Sequence, residues 1–253
     1  MSKIEIMLKY FSGIIAVILL WWLIVWIGWI SVLPSPVAVF FAFIDLFKNG
    51  AIFVDIFDSL KRVLIGFIIA GLVGIILGLV LARYFKARPF IEPIVEILRP
   101  IPPIAWIPTA ILLFGLGDNS AFFIVFLGAF FPIFTNTIQG ALSMPIIYRN
   151  ISKTLQISEW NFFTNILFKF SLPSIFTGLK IGMGMAWMCV IAAELIGAQS
   201  GLGAFIQMNR LLLNTENVIA GMIIIGIIGF LLISLFSLVE KKALVWRKVI
   251  END

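Results

Sequence analysis

Long stretches without a charged residue constrain this chain more than any other feature. No Asp, Glu, Lys or Arg occurs between Tyr10 and Ile44, and further uncharged blocks cover residues 100–117 and 119–148. The chain is 62% hydrophobic and 12% charged, whereas soluble domains contain roughly 45–50% apolar and about 25% charged residues. No soluble core of 253 residues requires so much apolar surface. The composition therefore predicts an integral membrane protein.

The uncharged blocks are long enough to be counted as membrane spans. A spanning helix needs roughly 20 apolar residues, because each residue adds about 1.5 Å across a hydrocarbon core of about 30 Å. The sequence predicts an all-α membrane protein, a single domain over residues 1–253 with about six transmembrane helices. The predicted spans are residues 12–32, 63–82, 91–117, 120–142, 174–197 and 218–239.

The distribution of positive charge predicts the orientation of these spans. If both termini are cytoplasmic, twelve Lys and Arg residues flank the spans inside and four outside, which is the positive-inside asymmetry. The four outside are Lys48, Lys61, Arg62 and Arg210, and the twelve inside include Arg247 and Lys248. The formal net charge of +5 is thus a topology signal, and the chain lacks the basic run that nucleic acid binding would require.

The predicted outside loop between the first two spans has a pattern of its own. Leu33-Pro34-Ser35-Pro36 ends the first helix, since proline restricts itself and the residue before it. Residues 37–47 and 51–60 show helical spacing on either side of the turn signal Asn49-Gly50. We predict two short helices in the outer interface, which form either a structural elbow or a platform for an external partner.

Residue patterns for enzyme chemistry are missing from the sequence. It contains no histidine, no P-loop, no paired carboxylates and no cysteine cluster. The only cysteine, Cys189, lies within a predicted span and has no partner for an internal disulfide. We therefore predict no catalytic residue, no metal site and no cofactor in this chain.

The third predicted span is interrupted by prolines around Trp106. Each proline removes a backbone donor and kinks the helix, so the segment either shapes packing or lines a substrate path. The prolines are Pro100, Pro102, Pro103 and Pro108.

Two ionisable groups near span ends allow two interpretations each, because charged groups at membrane depth are functional candidates. Glu194 either caps the outer mouth of a pathway or pairs with Arg210. Arg99 either forms an intrahelical pair with Glu96 and Glu92 or acts as a gate. A self-contained carrier would need a charged relay or inverted repeats, and the sequence shows neither.

A polar amphipathic segment, residues 150–173, separates the fourth and fifth predicted spans. From Asn150 to Thr164 apolar and polar side chains alternate, which predicts a short helix at the inner face that ends at Leu172-Pro173. Either this helix transmits a push from a cytoplasmic partner into the spans at its two ends, or it lies in the interface without a partner.

This segment resembles the cytoplasmic EAA loop of ABC-importer permeases, in which Glu-Ala-Ala precedes a glycine and a later Leu-Pro. Asn150-Ile151-Ser152 stand at the Glu-Ala-Ala positions, Gln156 at the glycine and Leu172-Pro173 at a Leu-Pro. R-P-I-P-P-I-A-W-I-P-x-A-I-L-x-F-G-x-G (residues 99–117), F-F-P-I-F-x-N-T (130–137) and A-E-L-I-G-A-x-S-G-L-G (193–203) further resemble the nitrate/sulfonate/taurine/bicarbonate branch. The resemblance covers nearly the whole chain.

The resemblance implies a type I ABC-importer permease fold with a cytoplasmic coupling helix, in the bacterial cytoplasmic (inner) membrane. It implies a second permease copy in a homodimer, a cytoplasmic ABC ATPase dimer that binds ATP and Mg, and an external solute-binding protein. The implied cargo is a small oxyanion such as nitrate, sulfonate/taurine or bicarbonate. The alternative function, from a different class of transport protein, is that of a self-contained secondary carrier or channel.

The same resemblance implies two sets of functional residues. The expected ATPase-coupling residues are Asn150, Ile151, Ser152, Lys153, Gln156, Ser158, Glu159 and Trp160. The expected translocation-pathway residues are Trp106, Pro108, Thr109, Asn136 and Glu194.

Overall fold

The computed structural model describes residues 3–28 and 32–245, and every regular element in these ranges is a helix. The helices are α1 (Lys3–Ile27), α2 (Pro36–Asn49), α3 (Ile52–Arg83), α4 (Arg88–Leu98), α5 (Ile107–Phe114), α6 (Asp118–Leu142), α7 (Ile146–Thr154), α8 (Glu159–Gly197), α9 (Leu202–Leu211) and α10 (Thr215–Ala243). A 3-10 turn, Pro103–Trp106, precedes α5, and Phe162–Leu167 within α8 is π-helical. The all-α expectation is confirmed.

Four helices, α3, α6, α8 and α10, are long and apolar enough to cross a membrane. A further apolar pair, α4 and Pro103–Phe114, is bent by 90° at the proline-rich break between its two parts and forms either a broken fifth span or a re-entrant loop. The first predicted span, residues 12–32, falls on α1 and the residues that follow it. Residues 29–31 of that prediction, and Arg247 and Lys248, lie outside the described residues.

The alternating direction of the spans gives the protein two faces. The α7 face carries α7, the ends of α3 and α6, and the start of α8. The α9 face carries α9, the starts of α3 and α6, and the end of α8.

The region before α3 differs in part from the prediction. Residues 37–47 do form a helix, α2, whose start is capped by Ser35 Oγ accepting from the N–H of Ala38 at 3.2 Å. Gly50 ends α2 with a left-handed φ of 74°. The second predicted short helix, residues 51–60, is wrong, because these residues are the first turns of α3. Neither glycine nor proline interrupts residues 51–65, so helical hydrogen bonding continues into the apolar part of the span.

The core is formed where α3, α6 and α8 pack against one another. Glycines at these contacts permit close approach: a Cβ on Gly66 would lie 2.6 Å from Cγ1 of Val125, and one on Gly128 2.5 Å from Sγ of Cys189. Small residues serve this purpose in membranes because lipid offers no hydrophobic force that drives helices together, so close van der Waals contact must hold them. The three helices are therefore joined as one packed unit.

We expect Gly66→Ala to lower the free energy of unfolding by about 1–3 kcal/mol, because the added methyl group overlaps Val125. Gly226→Ala in α10 is the matched control, since nothing lies within 4 Å of its Cβ position. Alanine there should stabilise the helix by up to about 1 kcal/mol. Unfolding of both variants in detergent, followed by circular dichroism, gives the comparison. Equal stability of the two variants would contradict the close contact between α3 and α6.

Candidate functional site

A short helix, α7, connects two membrane-spanning helices, α6 and α8. It follows Pro145, whose backbone (φ −56°, ψ 140°) leads into the first turn, and it ends at Leu155. The predicted helix over residues 150–164 is wrong at both ends, because α7 begins earlier and residues from Glu159 onward belong to α8. The start of α8 is set by Ser158, whose Oγ accepts from the N–H of Asn161 at 3.4 Å.

The predicted end of this segment at Leu172-Pro173 is also wrong. α8 runs through Pro173 and continues to Gly197. Spanning helices tolerate proline because neighbouring groups and local changes in helix type compensate for the lost hydrogen bond, and a π-helical turn lies just before this site. The segment that follows α7 is thus part of the span itself.

The eight predicted coupling residues lie in one continuous stretch on the α7 face. They are Asn150, Ile151, Ser152 and Lys153 on α7, Gln156 in the connection, and Ser158, Glu159 and Trp160 at the start of α8. Trp160 is 75% exposed, whereas Ser152 is buried. Glu159 accepts a hydrogen bond from Nε of Arg83 at 3.0 Å, which ties the start of α8 to the end of α3.

Two sides of α7 have opposite chemical character. One side lines a polar cavity of about 210 Å³ and consists of Ile146, Arg149, Asn150 and Lys153. The other side lines an apolar cavity of about 710 Å³ with Tyr148 and Ile151, and Ser152 borders both cavities. The spacing of three and four residues within each set is that of one helical face. A helix with these two sides presents both charge and apolar surface beside the spans.

Gln156, between α7 and α8, has a left-handed φ of 52°. It stands where the EAA pattern has glycine, and this conformation costs a residue with a Cβ roughly 1–2 kcal/mol. The structure therefore supplies a physical reason for glycine at this position of the pattern.

We expect Gln156→Gly to raise the free energy of unfolding by about 0.5–1 kcal/mol, because relief of backbone strain exceeds the entropy that glycine adds to the unfolded chain. Gln139→Gly is the matched control: Gln139 is exposed on α6 in regular helix, where glycine should cost about 1 kcal/mol. Both are measured by unfolding in detergent. A similar loss of stability in the two variants would contradict a strained turn at Gln156.

A buried carboxylate, Glu194, lies at the opposite, α9 face. It is 1% exposed and accepts hydrogen bonds from Nη1 of Arg62 at 2.9 Å, Oγ of Ser59 at 2.8 Å and the N–H of Gly203 at 3.0 Å. The predicted pairing of Glu194 with Arg210 is therefore wrong. With its oxygens bonded and buried, Glu194 lines no open path in this conformation.

Arg62 links Glu194 to two further helices. Its Nε donates to Asp118 at the start of α6 (2.8 Å), and its Nη1 donates to the carbonyl oxygen of Ser200 before α9 (2.6 Å). Both carboxylates thus face a guanidinium, and the described residues contain no group of three His, Cys, Asp or Glu side chains placed to hold a metal ion. The ion pairs join α3, α6, α8 and the start of α9.

The role of Arg62 could not be predicted from the sequence, because its position next to a span is typical of the positive charges that flank membrane helices. A usable signal is the spacing of Asp55, Ser59 and Arg62, which places them on one side of α3. Asp55 accepts from the N–H of Gly201 at 2.8 Å and Ser59 from that of Leu202 at 2.9 Å. This polar side of α3 therefore holds the chain at the start of α9.

The other predicted pathway residues lie on two different elements, before and on α5 and on α6. Trp106 is half-buried before α5, and Pro108 and Thr109 are exposed on α5. Asn136 donates from Nδ2 to the carbonyl oxygen of Pro132 at 2.8 Å. It follows Asp118 by 18 residues of α6, which at 1.5 Å per residue is roughly 27 Å from the α9 face. A shared contact between Asn136 and Glu194 is excluded in this conformation.

The predicted intrahelical pair of Arg99 is likewise wrong, because Arg99 forms no salt bridge with Glu96 or Glu92 in the part of the chain that the structure describes. Glu92 accepts a hydrogen bond from Nε of Arg88 at 2.7 Å, one turn away on α4. Arg99 lies seven residues after Glu92, about 10 Å along the axis, so the nearer arginine takes the carboxylate. Arg99 is exposed at the break that follows α4.

Comparison with known proteins places this arrangement in a class. Residues 70–244 match the family described as "Binding-protein-dependent transport system inner membrane component". A putative ABC transporter permease protein of Methanocaldococcus jannaschii is 38% identical over 252 residues, which cover 98% of this chain and 94% of that protein. The nitrate import permease protein NrtB of Synechocystis sp. is 39% identical over 89% of this chain and 86% of that protein.

Two further similarities extend the comparison. The putative aliphatic sulfonates transport permease protein SsuC of Bacillus subtilis is 31% identical over 93% of this chain and 86% of that protein. A chain of the inward-facing MetNI methionine ABC transporter has a TM-score of 0.69 at 16% identity, over 78% of this chain and 97% of that chain. Fold and sequence together define a multi-pass ABC transporter permease. The chain belongs to the binding-protein-dependent transport system inner membrane component family.

Proposed function

We propose that this chain is the permease subunit of an ATP-driven importer for a small oxyanion, coupled through α7 to a separate ATPase. The observation that carries the proposal is α7 itself, a nine-residue helix at the ends of two packed spans. Its side chains and those that follow, notably Ile151 and Trp160, are exposed rather than buried against the spans. A partner protein that binds such a helix can therefore move both spans at once.

The contacts described above support transmission of movement from α7 to the α9 face. α7 is connected directly to α6 and α8, and α6 packs closely on α3 at Gly66 and on α8 at Gly128. At the far end, Arg62 and Glu194 join the same helices. A displacement of α7 would therefore move the packed unit as a rigid body, as alternating access requires.

Membership of the family supports an assembly with an ATPase and a binding protein, and we propose that the permease in it is a homodimer. An ATPase dimer in the cytoplasm binds ATP and Mg, two copies of this permease form a homodimer, and an external protein delivers the solute. The α7 face is then cytoplasmic and the α9 face external, with both termini cytoplasmic in the bacterial inner membrane. ATP binding shifts the permease pair between two arrangements, each open to one side.

The oxyanion cargo is supported by the names of relatives, a nitrate import permease of Synechocystis sp. and a putative aliphatic sulfonates permease of Bacillus subtilis. Trp106, Pro108, Thr109 and Asn136 remain our candidates for the pathway, and Glu194 for a gate that opens only if its ion pair with Arg62 separates. A self-contained carrier or channel is not favoured, because the family is one of binding-protein-dependent transport.

The proposal is tested by uptake into proteoliposomes that contain the permease, its ATPase and its binding protein. We expect labelled nitrate, taurine or bicarbonate to accumulate only when ATP and Mg are present on the ATPase side. Uptake by the permease alone, without ATP, would contradict the proposal and favour a secondary carrier or channel.

A further inference from the structure

The polar cavity of about 210 Å³ beside α7 is bounded by three helices. α7 contributes Arg149, Asn150 and Lys153, α3 contributes Arg83 at its end, and the start of α8 contributes Glu159. The cavity thus lies where the linker helix meets two spans.

Positive charge in this cavity exceeds negative charge by two. Three cations, Arg83, Arg149 and Lys153, line it together with one carboxylate, Glu159. That carboxylate is committed to Arg83, which donates to it from Nε at 3.0 Å and also from Nη2. Neither Arg149 nor Lys153 forms a salt bridge within the part of the chain that the structure describes.

Arg149 in particular has a donor that the protein leaves unused. Its Nε is buried, and no acceptor for it exists among the described residues. Buried donors in folded proteins are nearly always satisfied by protein, water or a bound ion, so this donor is open to an oxygen atom from outside the chain. A guanidinium of this kind is suited to an oxyanion, whose oxygens match its planar fork of donors.

We propose that this cavity binds an oxyanion of the phosphate type, held by Arg149 and Lys153. The exposed ammonium group of Lys153 supplies a second charge at the rim, and the Asn150 amide supplies further hydrogen bonds. The ring of Phe162 lies 5.5 Å from the guanidinium carbon of Arg83 and holds that cation at the edge of the site. A bound anion would offset the excess charge and connect α7 to α3 and α8.

The same chemistry has two sources, free phosphate and the phosphate of an acidic lipid. A lipid fits the geometry, because the neighbouring apolar cavity shares Ser152 and Ile157 with the polar one and has room for an acyl chain.

The test uses the full chain in phosphatidylcholine nanodiscs and measures binding of radiolabelled inorganic phosphate by equilibrium dialysis. A second arm purifies the chain from membranes rich in phosphatidylglycerol and counts retained lipid by native mass spectrometry. The variants are Arg149→Gln and Lys153→Gln. The matched control is Lys86→Gln, which removes the same charge from an exposed lysine of the α7 face that does not line the cavity.

We expect Arg149→Gln to weaken binding by about tenfold or more, as loss of a charged hydrogen bond implies, while Lys86→Gln has no effect. An effect in the first arm identifies free phosphate as the source, and one in the second arm identifies the lipid. If Arg149→Gln does not fold, Lys153→Gln, at an exposed side chain, is expected to weaken binding at least about threefold. Two results would overturn the proposal: binding of neither ligand, or binding to the Arg149 and Lys153 variants that is as strong as binding to Lys86→Gln. Either result would favour a carboxylate of a docked protein as the partner of these cations.

Discussion

Replacing Glu194 with alanine is expected to lower the free energy of unfolding by about 3–5 kcal/mol, because Arg62 then remains buried without its partner. The side chain of Arg62 is 6% exposed and that of Glu194 is fully buried, so water cannot readily substitute for the lost carboxylate. The N–H of Gly203 and the hydroxyl of Ser59 both donate to the Glu194 carboxylate, so the variant also removes their acceptor. Thermal and denaturant unfolding in detergent measure the effect.

Two comparisons make this prediction specific. Glu96→Ala removes an exposed carboxylate from α4 and should change stability by less than about 0.5 kcal/mol. The double variant Arg62→Leu/Glu194→Leu should lose less than the sum of its two single variants, because neither charge is left alone. A Glu194→Ala variant as stable as Glu96→Ala, or additive losses in the double variant, would show that the ion pair does not hold the α9 face together.

Trp160→Asp is expected to weaken capture of the ATPase by about 30-fold or more, because an exposed tryptophan at a contact surface commonly contributes 2 kcal/mol or more to binding. Trp160 lies in the first turn of α8, two residues after the capping Ser158. An acidic residue is favourable at the start of a helix, so the replacement should preserve α8. Co-purification from native membranes in mild detergent measures the association.

Phe85→Asp is the matched control for this variant. Phe85 is 62% exposed in the turn between α3 and α4, on the α7 face but outside the predicted coupling residues. We expect it to retain the ATPase at the level of the unchanged chain. Normal ATPase capture by Trp160→Asp, or an equal loss in Phe85→Asp, would remove Trp160 from the coupling surface.

Features that depend on local sequence could be predicted well. Uncharged runs indicated the spans, and clustered prolines marked the break between α4 and α5. The starts of α7 and α8 were also accessible in principle, since Pro145 and Ser158 are ordinary start signals for helices. They were missed because the polar character of the segment begins only near Arg149, whereas Ile146 and Ile147 belong to the same helix.

Contacts between distant parts of the chain could not be predicted in this way. Arg62 and Glu194 are 132 residues apart in sequence, and the residues around each of them give no indication that the two side chains form a pair. Arg210 is closer to Glu194 in sequence and lies on the predicted outer side. The part of α9 that contacts the Glu194 carboxylate is its first turn, through the N–H of Gly203, whereas Arg210 lies near the other end of that helix. The cavity beside α7 likewise depends on Arg83, which reaches it from the end of another span.

The central claim, that α7 contacts a separate ATPase, is tested most directly by cross-linking from a single position. The chain has one cysteine, so Cys189→Ala provides a background into which Ile151→Cys is introduced and labelled with a maleimide photo-cross-linker. Leu211→Cys on α9, also exposed, is the control on the opposite face. We predict that illumination of native membranes joins position 151, and not position 211, to a chain that carries a P-loop. Absence of such a product from position 151, or equal yield from position 211, would contradict the account.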